Sequence, residues 1–150
     1  MDVKYINPFI EASIDVLKSF FNEEISIGKV GIKPIEFNKD TRVILIGMTG
    51  NVKGQIFLGF GHDIACEVVG TMMGKPVNEL DEIGESALAE LGNIIIGNTS
   101  TIFSKRGIKT DITPPAVATG SMKFDIKETP HVYIPILIGE REIEMHIALK

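Results

Sequence analysis

The sequence predicts an α/β fold: a central, mostly antiparallel sheet with two long helices packed side by side on one face. Three observations predict it. Residues 7–22 and 81–106 carry apolar side chains at helical spacing. Residues 42–60 and 131–149 each read as two β-branched, apolar runs around a short glycine-containing turn. These patterns follow one another as helix then hairpin, twice, which is a faint internal repeat.

Asn7 followed by Pro8 marks a helix start: a capping side chain, then a residue with no amide hydrogen to lose. The helix is expected to reach about Asn22, with Phe9, Ile10, Ile14, Leu17 and Phe21 as its apolar stripe. Ile25 to Lys33 is β-branched but broken by Gly28 and Gly31, which suits a bent or edge strand. Arg42 to Thr49 and Val52 to Phe60 form a hairpin around Gly50 and Asn51, apolar on both faces and so buried on both. A two-residue turn sets Gly47 opposite Gly54, where a neighbouring element can cross closely. A second helix starts at His62 or Asp63 and stops at Gly74, and 75–80 is a linker.

The long third helix runs from about Asp81 to Arg106 and closes at Gly107, after Lys105 and Arg106, both favourable at a helix C-terminus. Asp111 to Thr119 contains Pro114 and Pro115, so it is an edge strand or a loop. His131 to Ile138 and Arg141 to Leu149 pair around Gly139 and Glu140. One face of that hairpin holds Val132, Ile134, Ile136, Met145, Ile147 and Leu149. The other holds His131, Tyr133, Glu142, Glu144 and His146, and reads as solvated.

Composition bounds the function. The chain has 150 residues, 44% hydrophobic and 23% charged, enough for one globular domain with a sizeable core. Its net charge is −5 with no basic run, which argues against nucleic acid as a partner. No apolar stretch approaches the roughly 18 residues of a membrane span, and no signal sequence opens the chain. Cys66 is the single cysteine, so no internal disulfide forms, and a cytoplasmic location is expected.

The third helix has an unusual polar face. Ser86, Glu90 and Asn93 lie four and then three residues apart, one above the other. Glu82, Gly97, Ser100, Thr101 and Ser104 continue the stripe, opposite Leu88, Leu91, Ile94, Ile95, Ile102 and Phe103. A solvated helix face is usually filled with Lys and Glu. This stripe has no Lys or Arg at its centre and consists of short side chains around one carboxylate and one carboxamide. Such a surface lets another backbone approach while Glu90 and Asn93 project into it.

The spacing Ser86–x3–Glu90–x2–Asn93 resembles the motif of the CheC, CheX and FliY family of bacterial chemotaxis phosphatases, in which a proline follows a little over twenty residues later. Pro115 is the match for that proline, with Pro114 one residue away as the alternative. The opening Ile6 to Ala12, the length and the single motif copy are most similar to the CheX members. In the first half Glu11 is followed three residues later by Ile14 where the motif needs Asn, so one active site per chain is implied.

The resemblance implies one CheX-like phosphatase domain over 1–150, acting on a phosphorylated CheY-like receiver. Asn93 would position the attacking water, and Glu90 would pair with a receiver lysine. Ser86, Gly97 and Pro115 would shape the docking surface. It also implies a homodimer, and a Mg ion that belongs to the receiver and not to this chain. Two other readings compete: a receiver-binding or flagellar-switch module without catalysis, which does not need the Asn93 carboxamide, and a small-molecule enzyme, which needs a concave pocket.

Other candidates are weaker. His131 and His146 would be diagonal neighbours near Glu144, but no third His or Cys completes a metal site. Cys66 sits among Ile64, Ala65, Val68 and Val69 and reads as core. Gly47, Gly50, Gly54, Gly59 and Gly61 form no phosphate loop. Asn98 points toward the apolar side of the third helix, where a buried hydrogen bond would explain it.

Overall fold

A computed structural model of the chain describes residues 1–126 and 128–150. In chain order the elements are α1 (Val3–Leu17), β1 (Ile25–Ile27), β2 (Ile35–Phe37), β3 (Arg42–Gly50), β4 (Gly54–Phe60), α2 (His62–Met73), α3 (Glu82–Lys105), β5 (Thr110–Ile112), β6 (Ala116–Thr119), β7 (Met122–Phe124), β8 (His131–Ile138) and β9 (Arg141–Leu149). The main sheet runs β1-β8-β9-β4-β3-β5, with β6 also paired to β3, and all its pairings are antiparallel. The helices cover one face, with α1 and α3 side by side.

The hairpin β3–β4 is buried on both faces, as its double apolar pattern predicts. Ile44, Ile46, Ile56 and Leu58 pack into the large core with the helices. Val43 and Phe57 pack on the far face with Ile35, Phe37, Met122 and Phe124. Those last residues belong to a two-stranded ribbon, β2 with β7, which the sequence reading did not foresee. Each of its strands is three residues long, too short for periodicity to register.

Three boundary or register expectations are corrected. The first helix begins at Val3, not at Asn7, because Asp2 caps it by accepting from the Lys4 amide at 3.0 Å. Pro8 lies inside the helix and is buried there, so the Lys4 carbonyl loses its usual donor. Burial of Ile6 beside Phe9 outweighs that loss. The helix stops at Leu17, and Phe21 stays in the core from the following segment. In the first hairpin Gly47 faces Gln55 and Met48 faces Gly54, one residue off the expected register. The cause is the wider turn, since Thr49 and Gly50 pair with β5 instead. The close approach is real: a Cβ on Gly54 would sit 2.0 Å from the Ala148 carbonyl oxygen.

The β8–β9 hairpin has the expected boundaries and a turn at Gly139 with φ +61°. Its second face is only partly solvated: His131, Tyr133, Glu142 and Glu144 are half-buried. The β2–β7 ribbon covers part of it, and His146 is fully buried against Phe37 and Tyr133 at ring distances of 5.5 and 5.1 Å. Neither ring nitrogen of His146 has a hydrogen-bond partner. Burial first, then the charge of Lys33 and the nearness of His131, push its pKa down to about 4. Among the described residues no group of three His, Cys, Asp or Glu side chains could hold a metal ion, and no helix is long and apolar enough to cross a membrane.

Candidate functional site: the outer face of the long helix

The chain starts and stops α3 with clear local chemistry. Asp81 caps it by accepting from the Gly84 amide at 2.8 Å. Glu82 and Glu85 occupy the first turn and Lys105 the last, each of the sign the helix dipole favours. Gly107, at φ +80°, lets the Ile108 amide reach back to the Phe103 carbonyl at 2.9 Å.

Packing then sets the rotation of the helix. Leu88, Leu91, Ile95, Ile96 and Phe103 are fully buried. Gly92 lies directly over the sheet, where a Cβ would stand 2.8 Å from the Ile44 Cγ2 atom. With that arc held down, Ser86 and Glu90 are exposed and Asn93 and Gly97 half-buried. Two side chains differ from expectation. Ile94, assigned to the buried arc, is 37% exposed. Asn98 is exposed beside α1, lining a groove with Glu11, Asp15 and Thr101, and makes no buried hydrogen bond.

The two prolines lie at the sheet edge that runs beside α3. β5 and β6 both pair with β3, and three residues, Thr113 to Pro115, stand opposite Ile46 and Gly47. This bulge accommodates residues that have no amide hydrogen for a ladder. Thr113 pins it, its Oγ1 accepting from the Gly47 amide at 2.8 Å and its own amide donating to the Gly47 carbonyl at 2.9 Å. The segment also runs antiparallel along α3. Ser100 donates to the Thr110 carbonyl at 3.0 Å, while at the other end Thr119 donates to Glu85 at 3.4 Å. Glu85 in turn accepts from Arg42 at 3.1 Å. Pro114 and Pro115 fall between these two ties along the chain, and Asn93 falls between their α3 partners Glu85 and Ser100. Pro115 is half-buried and Pro114 exposed. Sequence reasoning missed these ties. Ser100 in the polar stripe was the only signal that could have pointed to them.

Ser86, Glu90 and Asn93 make no side-chain hydrogen bond or ion pair among the described residues. They are therefore free to bind something else. The nearer clefts are lined by other residues, including Glu11, Asp15 and Lys105 on one side and Ser104, Lys109 and Asp111 on the other. A projecting helical face suits a macromolecular partner better than a small substrate. Chemically, a carboxylate can pair with a partner's cation, and a carboxamide can accept a hydrogen from water while donating to an oxygen.

Comparison with known proteins supplies the family. The family described as "Chemotaxis phosphatase CheX" matches residues 42–137. The chain is 31% identical to the CheY-P phosphatase CheX of Thermotoga maritima, over 100% of this chain and 98% of that protein. Among solved structures, a CheC-like superfamily protein from Shewanella sp. PV-4 matches with a TM-score of 0.87 and 26% identity, covering 100% of this chain and 99% of that one. A CheX–CheY–BeF3–Mg complex from Borrelia burgdorferi matches with a TM-score of 0.80 and 30% identity, covering 97% of each chain.

Proposed function

The chain belongs to the CheX family of chemotaxis phosphatases, and from that premise we propose how its own residues act on a phosphorylated CheY-type response regulator. The reaction is hydrolysis of the regulator's phosphoryl group. One observation carries the assignment of residues: Glu90 and Asn93 stand about one turn apart on the outer side of one unbroken helix, without side-chain partners among the described residues.

Asn93 holds the attacking water in line with the phosphorus–oxygen bond. A carboxamide does this without titrating, as the water-positioning glutamine of GTPases does. A hundredfold acceleration needs about 2.7 kcal/mol off the barrier, which positioning alone can supply. Glu90 pairs with a receiver lysine and aligns the complex. Ser86, Gly97 and Pro115 shape the contact. The divalent metal, Mg, belongs to the receiver's phosphate site. The acting unit is the single domain 1–150, as a homodimer in the cytoplasm, a setting that the lone Cys66 favours.

The test is phosphate release from a phosphorylated CheY-type receiver. Adding this protein should accelerate release at least tenfold, and chelating divalent ions should abolish the acceleration. Release at the receiver's own rate, with metal present, would overturn the assignment.

A further inference from the structure

Six large apolar side chains are exposed among the described residues, and two of them, Ile83 and Ile94, share the outer arc of α3 with Glu90. Ile83 is 65% exposed and Ile94 is 37% exposed. Seven residues before Glu90 and four after it, they fall about 20° and about 40° from it around the helix, and about 10 Å and about 6 Å along it. Neither contributes to the core, and the sequence from Glu82 to Ser104 contains no Lys or Arg. The arc is thus a lone carboxylate with an apolar side chain above and below it. Gly97 extends it with open space where a Cβ would stand, so another backbone can come close.

An exposed carboxylate–ammonium pair contributes little in water. The same pair gains when apolar neighbours exclude solvent from around it. We propose that Ile83 and Ile94 form an apolar rim around Glu90 which seats against the response regulator around its paired lysine, and thereby sets the affinity for that partner. This rests on the reading that the Glu90–Asn93 face docks the regulator. The occupant follows from continuity with that face and from charge: a carboxylate with no partner among the described residues, flanked along the helix by two exposed isoleucines, calls for a cation with apolar surroundings. Docking affinity and water positioning are thereby divided, the first resting on Ile83, Glu90 and Ile94 and the second on Asn93.

The experiment is steady-state phosphate release with a phosphorylated CheY-type receiver as substrate. Ile83→Ser and Ile94→Ser keep the fold, since Ser and Ile have similar helix propensity and both sites are exposed. Each should raise KM about tenfold with kcat close to the parent value, the mark of binding lost equally in ground and transition states. Leu at either site should restore most of the affinity, and Val3→Ser, at an exposed apolar site on α1, should change nothing. In the Ile83→Ser, Ile94→Ser double variant, Glu90→Ala should cost less than in the parent, because the pair is already wet. Asn93→Ala run in parallel separates the two claims. If the isoleucine variants keep the parent KM while Asn93→Ala loses kcat, the rim is wrong and the site stands. If Asn93→Ala keeps the parent kcat, the site reading falls, whatever the isoleucines do. If the isoleucine variants change the oligomeric state and leave KM alone, the face covers a second copy, which also overturns the proposal.

Discussion

At the scale of single residues, burial explains which sequence signals held. The Ser86–Glu90–Asn93 spacing was legible because one unbroken helix carries it, and its outward rotation follows from Leu88, Leu91 and Ile95 packing beneath. His146 was not legible. It alternates with apolar residues along β9, and the cover over its face is a ribbon from two distant segments. Its neutral, unpartnered ring makes a pH prediction. The folded pKa of about 4 lies below the ordinary value of 6.5, so the unfolded chain binds the extra proton first. Stability from this group is present above pH 6.5 and is lost as pH falls toward 4, to a total on the order of 3 kcal/mol. Chemical denaturation of the parent and His146→Leu between pH 7 and pH 4 should show the two diverge, with the variant losing less. Parallel curves would show that His146 does not titrate this way.

At the scale of elements, long periodic segments were readable and short ones were not. The ends of α2, α3, β8 and β9 fall where the pattern places them, because caps and glycines mark them locally. The start of α1 and the register of β3 with β4 depend on tertiary neighbours: the buried Ile6, and the pairing of Thr49 and Gly50 with β5. Two glycines of α3 test the distinction between fold and surface. Gly92 is required by packing, since a Cβ would meet Ile44 at 2.8 Å, whereas nothing lies within 4 Å of one on Gly97. Gly92→Ala should therefore destabilise by about 1–3 kcal/mol through overpacking. Gly97→Ala should stabilise by about 0.5–1 kcal/mol through helix propensity, while weakening docking of the receiver. Thermal melts and the KM for receiver check both. A destabilised Gly97→Ala would place that glycine in the fold and not at the contact surface.

At the scale of the whole molecule, the sheet has two open edges, β1 and the β5–β6 side. The proline bulge blunts one of them. β1 leads into the exposed Val30 and Ile32 at the other. Pairing of edges between two copies would cover such an edge and leave both α3 faces free, so light scattering at micromolar concentration should give twice the chain mass of 16.4 kDa. A mass of one chain would remove the dimer and leave the chemistry untouched. In the proposed mechanism that chemistry depends on a helix held by the sheet below, offering one carboxamide to a water on another protein. Its most direct measurement is the rate of phosphate release from phosphorylated receiver with Asn93→Ala in place of the parent protein. Release should fall close to the receiver's own rate while the variant melts as the parent does and still binds the receiver. Release at the parent rate would contradict the assignment of Asn93.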